Sequence, residues 1–323
     1  MKRQQKTVRF QGSFPFARCF AMLAGFTALS LICPSQGYSW GDQAHRYINR
    51  EAVSTLPAEI RPFFEANKQL LEDNASAPDR RRRVERETEA PRHFLDIESY
   101  GKFPFADLPN SYDELVSKFG KEMVKDNGCV PYAIDEVTSK MAQAMLAKNW
   151  DATLRLAADL GHYVGDAHQP LHNTVNYDGR QTGQDGVHSQ FESRLVAAHF
   201  NQLVSNTGPA REVSNILDFA KKISLDSYVY VDNVLLGDLR AQEAAGGGRT
   251  NDKYLDVYWE YSGETAKKRI AQASTALGSL WLTAWKRAGS PPLPNENLNL
   301  KSDYMDTGGR RGQPTAAPTP GPQ

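Results

Sequence analysis

The sequence predicts an all-α protein built as a single multi-helix bundle, and three observations carry that expectation. Apolar residues recur at helical period in seven separate segments, as Ala44, Tyr47, Ile48, Ala52 and Val53 do in the first. Period-2 alternation over strand length is scarce. Histidines and carboxylates fall four apart at His162/Asp166 and His188/Glu192, a spacing that puts both side chains on one helical face.

Residues 1–39 read as an export signal. Lys2, Arg3, Lys6, Arg9 and Arg18 form a long positive region, CFAMLAGFTALSLIC an apolar core, and Gly37-Tyr38-Ser39 a small-residue exit, with cleavage before Trp40. The competing reading is a membrane anchor, but about 15 apolar residues is short for a span of about 20. A lipoprotein signal at Cys33 is weaker, since bulky Ile32 precedes it. Cleavage leaves 284 of the 323 residues and moves the formal charge from zero to −5. A mildly acidic mature chain is not a general polyanion binder of the basic-patch kind. Cys129 is then the lone cysteine, which excludes an intrachain disulfide and leaves rigidity to the core and any bound metal.

Helices are expected over residues 43–56, stopped by Pro57, and 58–71, with Pro62 near its start. Two amphipathic runs follow at 131–146 and 150–164, the second closed by Gln169-Pro170. Residues 187–203, 216–231 and 250–288 complete the set, with Gly263 a candidate break in the last and 246–248 a loop. The Pro/Gly-rich stretch 295–323 reads as a disordered tail, which makes 40–294 the catalytic domain. That length is large for one domain but suits one bundle, especially where a buried metal cluster ties the helices.

The segment LGHYVGDAHQPLHNTVNYDGRQTGQDGVHSQFE holds most of the chemistry. Eight histidines or carboxylates lie within residues 162–192, and five of the seven histidines within 162–199. Imidazole and carboxylate together are a zinc ligand set, and a site without thiolate is usually catalytic; the segment points to a zinc hydrolase. His168 faces away from the 162/166 pair by helical phase and reads as structural, as does His199. Asp178 and Asp185 lie in a Gly-rich stretch and read as turn residues. Asp159, one turn before His162, reads either as an acceptor for that imidazole or as part of a solvated face. Upstream, His45 sits five residues after Trp40, and Asp79 precedes His93 by fourteen. Alone, Asp79 would be a helix cap and His93 a core histidine; their occurrence with the downstream cluster weighs against that. There is no Gly-x-Ser-x-Gly elbow, and Cys129 has no histidine close in sequence.

Trp-xxxx-His at the expected new N-terminus, Asp…His-Phe, His-xxx-Asp-xxxxx-His and His-xxx-Glu stand in the order seen in the zinc-dependent phospholipase C / nuclease P1 (S1/P1 nuclease) superfamily, which this chain resembles from Trp40 to about Val196. The resemblance implies an all-α bundle with a trinuclear zinc cleft. It implies a first Zn2+ on Asp79, His93, His162 and Asp166, and a second on His172, His188 and Glu192. A third would take the α-amino and carbonyl groups of Trp40, with His45 and a shared Asp166. The implied activity is that of an exported phosphodiesterase, hydrolysing P–O ester bonds with a zinc-bound hydroxide and no protein nucleophile. Asp79 would orient the attacking water.

Two branches compete for the substrate. His188-xxx-Glu192, with a short run from His172, resembles the phospholipase C branch. WGDQAH at 40–45 and Arg82, three after Asp79, resemble the nuclease branch, where an arginine at that offset helps hold phosphate. Phe94 would be the family's aromatic platform after the first-zinc histidine, and Asp96 would read a base or cap a turn. Arg80 stands where a choline-binding aromatic would follow Asp79. The run Arg80–Arg83 also reads as solvated charge offset by Glu85, Glu87 and Glu89. Single-stranded nucleic acid and a phospholipid head group both remain as substrates; neither an obligate protein partner nor a transmembrane span in the mature form is expected. The reading from another class is an exported, non-catalytic zinc-binding helical protein.

Overall fold

The computed structural model describes residues 40–203 and 206–301; the expected signal and residues 302–323 of the expected tail lie outside the described residues. The helices run α1 Asp42–Thr55, α2 Arg61–Ala66, α3 Lys68–Asp73, α4 Ala77–Arg82 and α5 Arg86–Glu89. After two 3-10 turns come α6 Tyr112–Phe119, α7 Lys121–Asn127, α8 Val130–Leu146 and α9 Trp150–His168. The chain continues through α10 Val187–Ser189, α11 Val196–Ala198, α12 Ile216–Tyr228, α13 Val231–Ala244 and α14 Asp252–Arg287. Among the described residues there is no strand, only one antiparallel bridge between Leu95 and Gly128. No described helix is long and apolar enough to cross a membrane. The all-α expectation holds.

Four segments differ from the sequence reading in detail. Residues 58–71 form two short helices, because the chain leaves helical geometry at Asn67 (φ −112°, ψ 13°). There the Asn67 amide donates to the carbonyls of Phe63 (2.8 Å) and Glu296 (3.1 Å) and accepts from the Leu298 N–H (2.9 Å). That one side chain thereby ties 296–298 to the body. The helix expected over 216–231 stops at Tyr228, and a separate helix, α13, follows it unforeseen. α14 runs unbroken past Gly263, where a Cβ would lie 2.6 Å from the Trp259 ring. A helical glycine costs about 1 kcal/mol, and here it makes room for the indole. Residues 187–203 are not a regular helix: six of them, Gln190–Leu195, form a π turn between α10 and α11. Such turns are rare and gather at functional positions.

α9 packs against α1, α3, α8 and α14. Asn149 caps its start, its side chain accepting from the Ala152 N–H at 3.1 Å. Gln169 ends it in extended geometry (φ −79°, ψ 118°), as a residue before proline must. Trp281 stacks on Phe64 (4.6 Å between centroids) and donates its indole N–H to the Ala157 carbonyl of α9 (3.2 Å). Buried Asn49 donates to Leu71 O (2.8 Å) and Ala158 O (3.3 Å), joining α1, α3 and α9. Gly161 leaves Asn49 the space to do so, since a Cβ there would strike its side-chain oxygen.

Candidate metal centre

The same face of α9 that packs on α1 builds the site. His162 and Asp166, one turn apart and fully buried, point between α1, α4 and the 3-10 turn Ala90–His93. Pro170 then opens a second 3-10 turn, Pro170–Asn173, which swings His172 back toward the cluster. His188 lies in α10 and Glu192 in the π turn.

Three groups of donors result, each with ligand atoms within 4.8 Å of one another: Asp79, His93 and His162; His45, His162 and Asp166; His172, His188 and Glu192. Asp166 lies between the first two. Its Oδ2 is 2.9 Å from His93 Nδ1 and 3.3 Å from His162 Nε2, and its Oδ1 is 3.4 Å from His45 Nε2. Asp79 Oδ1 stands 3.6 Å from His162 Nε2 and 3.7 Å from His93 Nδ1. In the third group, the Nε2 atoms of His172 and His188 are 3.1 Å apart, and Glu192 Oε2 is 3.1 Å from that of His188. His45 stacks on His162 at 4.1 Å.

This donor set fits cations. Asp166 Oδ1 and Glu192 Oε1 are buried oxygens that accept no hydrogen bond, a cost of about 1–3 kcal/mol each if nothing else engages them. Burial alone would raise the Asp166 carboxyl, but His162 and His172 hold it well below its usual range. Burial would lower His162, yet Asp166 and Asp79 lift it to about 9. The pocket therefore demands positive charge where the ring nitrogens and carboxylate oxygens converge. Without thiolate, the set suits zinc among the common ions.

Trp40 is fully buried, its ring 5.5 Å from Phe191. The following amide, Gly41 N, donates to Glu192 O at 3.3 Å, so the start of α1 lies along the π turn. Arg82 occupies the end of α4, one turn past Asp79; half-buried, it makes no hydrogen bond or ion pair among the described residues. Phe94 is half-buried and extended, its carbonyl accepting from Val130 N (3.0 Å). Gly128, which the sequence reading passed over, adopts φ +78° directly against it; a Cβ there would meet the Phe94 ring at 2.7 Å. Asp96 precedes a 3-10 turn, but its side chain does not cap it; its Oδ1 is buried with no partner. Burial, then Glu98, push its carboxyl up to about 7.

His168 donates through Nδ1 to Val164 O, and His199 stacks on Trp259 at 4.5 Å, both outside the three groups. Asp178 accepts from Gly186 N (3.0 Å) and Asp185 pairs with Arg180 (3.2 Å), as turn residues do. Cys129 is buried and its thiol pushed up to about 12 by that burial, far from a nucleophile's range. Asp159 proves to be neither a partner of His162 nor a solvated charge. It takes a two-point contact from Arg81 (3.2 and 2.9 Å), while His162 Nδ1 donates to Ala75 O (2.9 Å). Arg81 also reaches Tyr163 Oη (3.3 Å) and Glu89 (3.4 Å). The sequence signal for this network was faint: Arg81 stands in a run of four arginines, and nothing local marks which of them reaches Asp159.

A protein of Bradyrhizobium tropiciagri named a probable serine protease is 28% identical over 213 residues, covering 56% of this chain and 27% of that protein. The chain thus spans about a quarter of that relative's length, and the relative's name describes the longer protein. Residues 40–284 match the family model described as S1/P1 Nuclease. With about three quarters of its length matched, the chain belongs to the S1/P1 nuclease family.

Proposed function

We propose that this family member is an exported, zinc-dependent nuclease that cuts phosphodiester bonds of single-stranded nucleic acid. The observation that carries the reading is the pairing of Asp79 and Arg82 one turn apart on α4. Asp79 is turned into the metal-ligand cluster, and Arg82 keeps its whole guanidinium for a phosphate. Three Zn2+ ions would sit on Asp79, His93, His162 and Asp166; on His172, His188 and Glu192; and on His45 and Asp166 with the amino and carbonyl groups of Trp40 once cleavage frees that residue. Zinc, when bound, supplies Lewis acidity and a water that ionises near neutral pH.

The rest is the work of the chain's own groups. Asp79 accepts a proton from the attacking water and aims it at phosphorus. The fork of Arg82 takes two phosphate oxygens and neutralises charge that grows as the bond breaks. Phe94, braced by Gly128, offers a face on which an unpaired base stacks, at about 1–3 kcal/mol per base in comparable sites. Asp96, two residues on, would hydrogen-bond a base edge.

One feature favours a phospholipid instead: Glu192 stands as the last ligand, as in the phospholipase C branch. Against choline stands Arg80, a cation directly after Asp79. The deciding experiment incubates mature protein with single-stranded DNA, RNA, 3′-nucleotides, phosphatidylcholine and anionic phospholipids. Cleavage of the polynucleotides at rates well above the lipids is the expected result. Lipid cleavage alone would transfer the protein to the other branch. Stoichiometric zinc with no turnover on any substrate would make it a binding protein.

A further inference from the structure

Each histidine in a metal site needs something to hold the ring nitrogen that faces away from the ion, because that contact fixes tautomer and orientation. Three of the clustered rings solve this alike. His162, His172 and His188 each turn Nε2 toward the cluster and donate Nδ1–H to a backbone carbonyl: Ala75 O (2.9 Å), His93 O (2.7 Å) and Tyr177 O (3.0 Å). His93 is reversed. Its Nδ1 faces the cluster, 2.9 Å from Asp166 Oδ2 and 3.1 Å from His162 Nε2. Its Nε2 is buried, makes no hydrogen bond, and has a carboxylate oxygen, Glu89 Oε1, at 3.7 Å.

Glu89 is itself held. It is buried at the end of α5, its Oε1 accepts from Tyr163 Oη, and Arg81 reaches the same oxygen at 3.4 Å. Arg81 is anchored in turn on Asp159 of α9, the helix that carries His162 and Asp166. Arg92 lies over the Tyr163 ring, 5.1 Å from its centroid, and reaches the same Oη at 3.4 Å. These contacts fix the carboxylate behind His93 from α4, α5 and α9 at once.

We propose that Glu89 is the positioning residue of His93: it accepts the Nε2 proton, fixes Nδ1 as the metal-facing nitrogen and strengthens that nitrogen as a donor. The inference rests on His93 being a metal ligand. A carboxylate polarises an imidazole more than a carbonyl does, so His93 is the strongest imidazole donor of the cluster. It pairs there with Asp79, the residue that aims the water.

The test compares zinc retention in wild type, Glu89→Gln, Glu89→Asp, Tyr163→Phe and His93→Ala by titration against a chelating dye. Alongside, the melting temperature of each chelator-treated protein is measured. Glutamine keeps the Tyr163 hydrogen bond and the volume but lacks the charge. The expected result is one zinc bound roughly 10–100-fold more weakly in Glu89→Gln. Glu89→Asp should recover part of the loss, with the melting temperature of the chelated protein unchanged. Retention within about twofold of wild type would overturn the proposal. So would a loss of affinity matched by an equal fall in the chelated protein's melting temperature, which would make Glu89 a brace only. His93→Ala reports on the premise: if it keeps all its zinc, His93 is no ligand and the assignment of the first ion fails, together with this proposal. If it loses zinc while Glu89→Gln does not, the site stands and only the role of Glu89 falls.

Discussion

Gly165 gives His45 the space in which it meets Asp166. A Cβ at position 165 would lie 2.8 Å from His45 Nδ1 and 2.9 Å from its Cε1, closer than real contacts allow, while the same ring holds its Nε2 3.4 Å from Asp166. His45 cannot slide aside freely, because it is fully buried and stacked on His162. The missing side chain at one position of α9 therefore makes room for a donor on α1.

Gly165→Ala is accordingly expected to lower zinc content by about one equivalent, although alanine alone favours a helix by about 1 kcal/mol over glycine. Gly161→Ala, which strikes Asn49 and no metal donor, should cost stability, about 1–3 kcal/mol as overpacking does, while leaving the zinc count alone. Metal analysis and thermal melts of both variants separate these effects. Unaltered zinc in Gly165→Ala would show that His45 is not a ligand.

The two oxygens of Asp166 face two different donor groups. Asp166→Asn should be the most damaging single change, reducing phosphodiesterase rate by more than about 100-fold, beyond the range for residues that only support ligands. His168→Ala should act on stability alone. An inversion of that order in steady-state rates would refute the ligand assignment.

Trp40 can offer an amine only as the first residue. With an unperturbed pKa of about 7.7–8.0, that amine loses its proton readily to a metal near neutral pH. Protein beginning at Trp40 should be fully active, whereas one added residue should remove the third zinc and most turnover. Equal rates from the two N-termini would make Trp40 a buried aromatic anchor against Phe191 and nothing more.

Asp96 sets a pH dependence of stability. Its folded carboxyl is held up to about 7 by burial and Glu98, above its ordinary 3.8, so between those values the folded chain binds more protons than the unfolded one. Stability from this group is complete below the lower value and is lost as pH rises through the upper one. Asp96→Asn should match wild type near pH 4 in chelated protein, become the more stable as pH rises to about 7, and keep that lead above. Thermal melts across that range check it; a gap that does not change with pH would remove the burial argument.

Local spacing made much of this legible from the chain alone. The 3.6-residue repeat puts His162 over Asp166 whatever surrounds α9, and proline bonding rules end that helix at Gln169, ahead of His172. Those are properties of a few neighbouring residues, so a sequence determines them. The amphipathic segments that became α1, α8, α9 and α14 were readable for the same reason. Tertiary structure decided the rest. Asn67 breaks 58–71 where two of its three partners are Glu296 and Leu298, over 200 residues away in sequence. Asp159 turned to Arg81 rather than His162 because the Ala75 carbonyl already held the imidazole. Glu89 and His93 stand four apart, as His162 and Asp166 do, but α5 ends at Glu89 and a 3-10 turn carries His93, so only the fold shows that Glu89 lies behind the ring rather than beside it in the cluster. Periodicity sets the direction of a side chain, but which atom meets it depends on how separate helices pack, and that is decided only when the whole core closes.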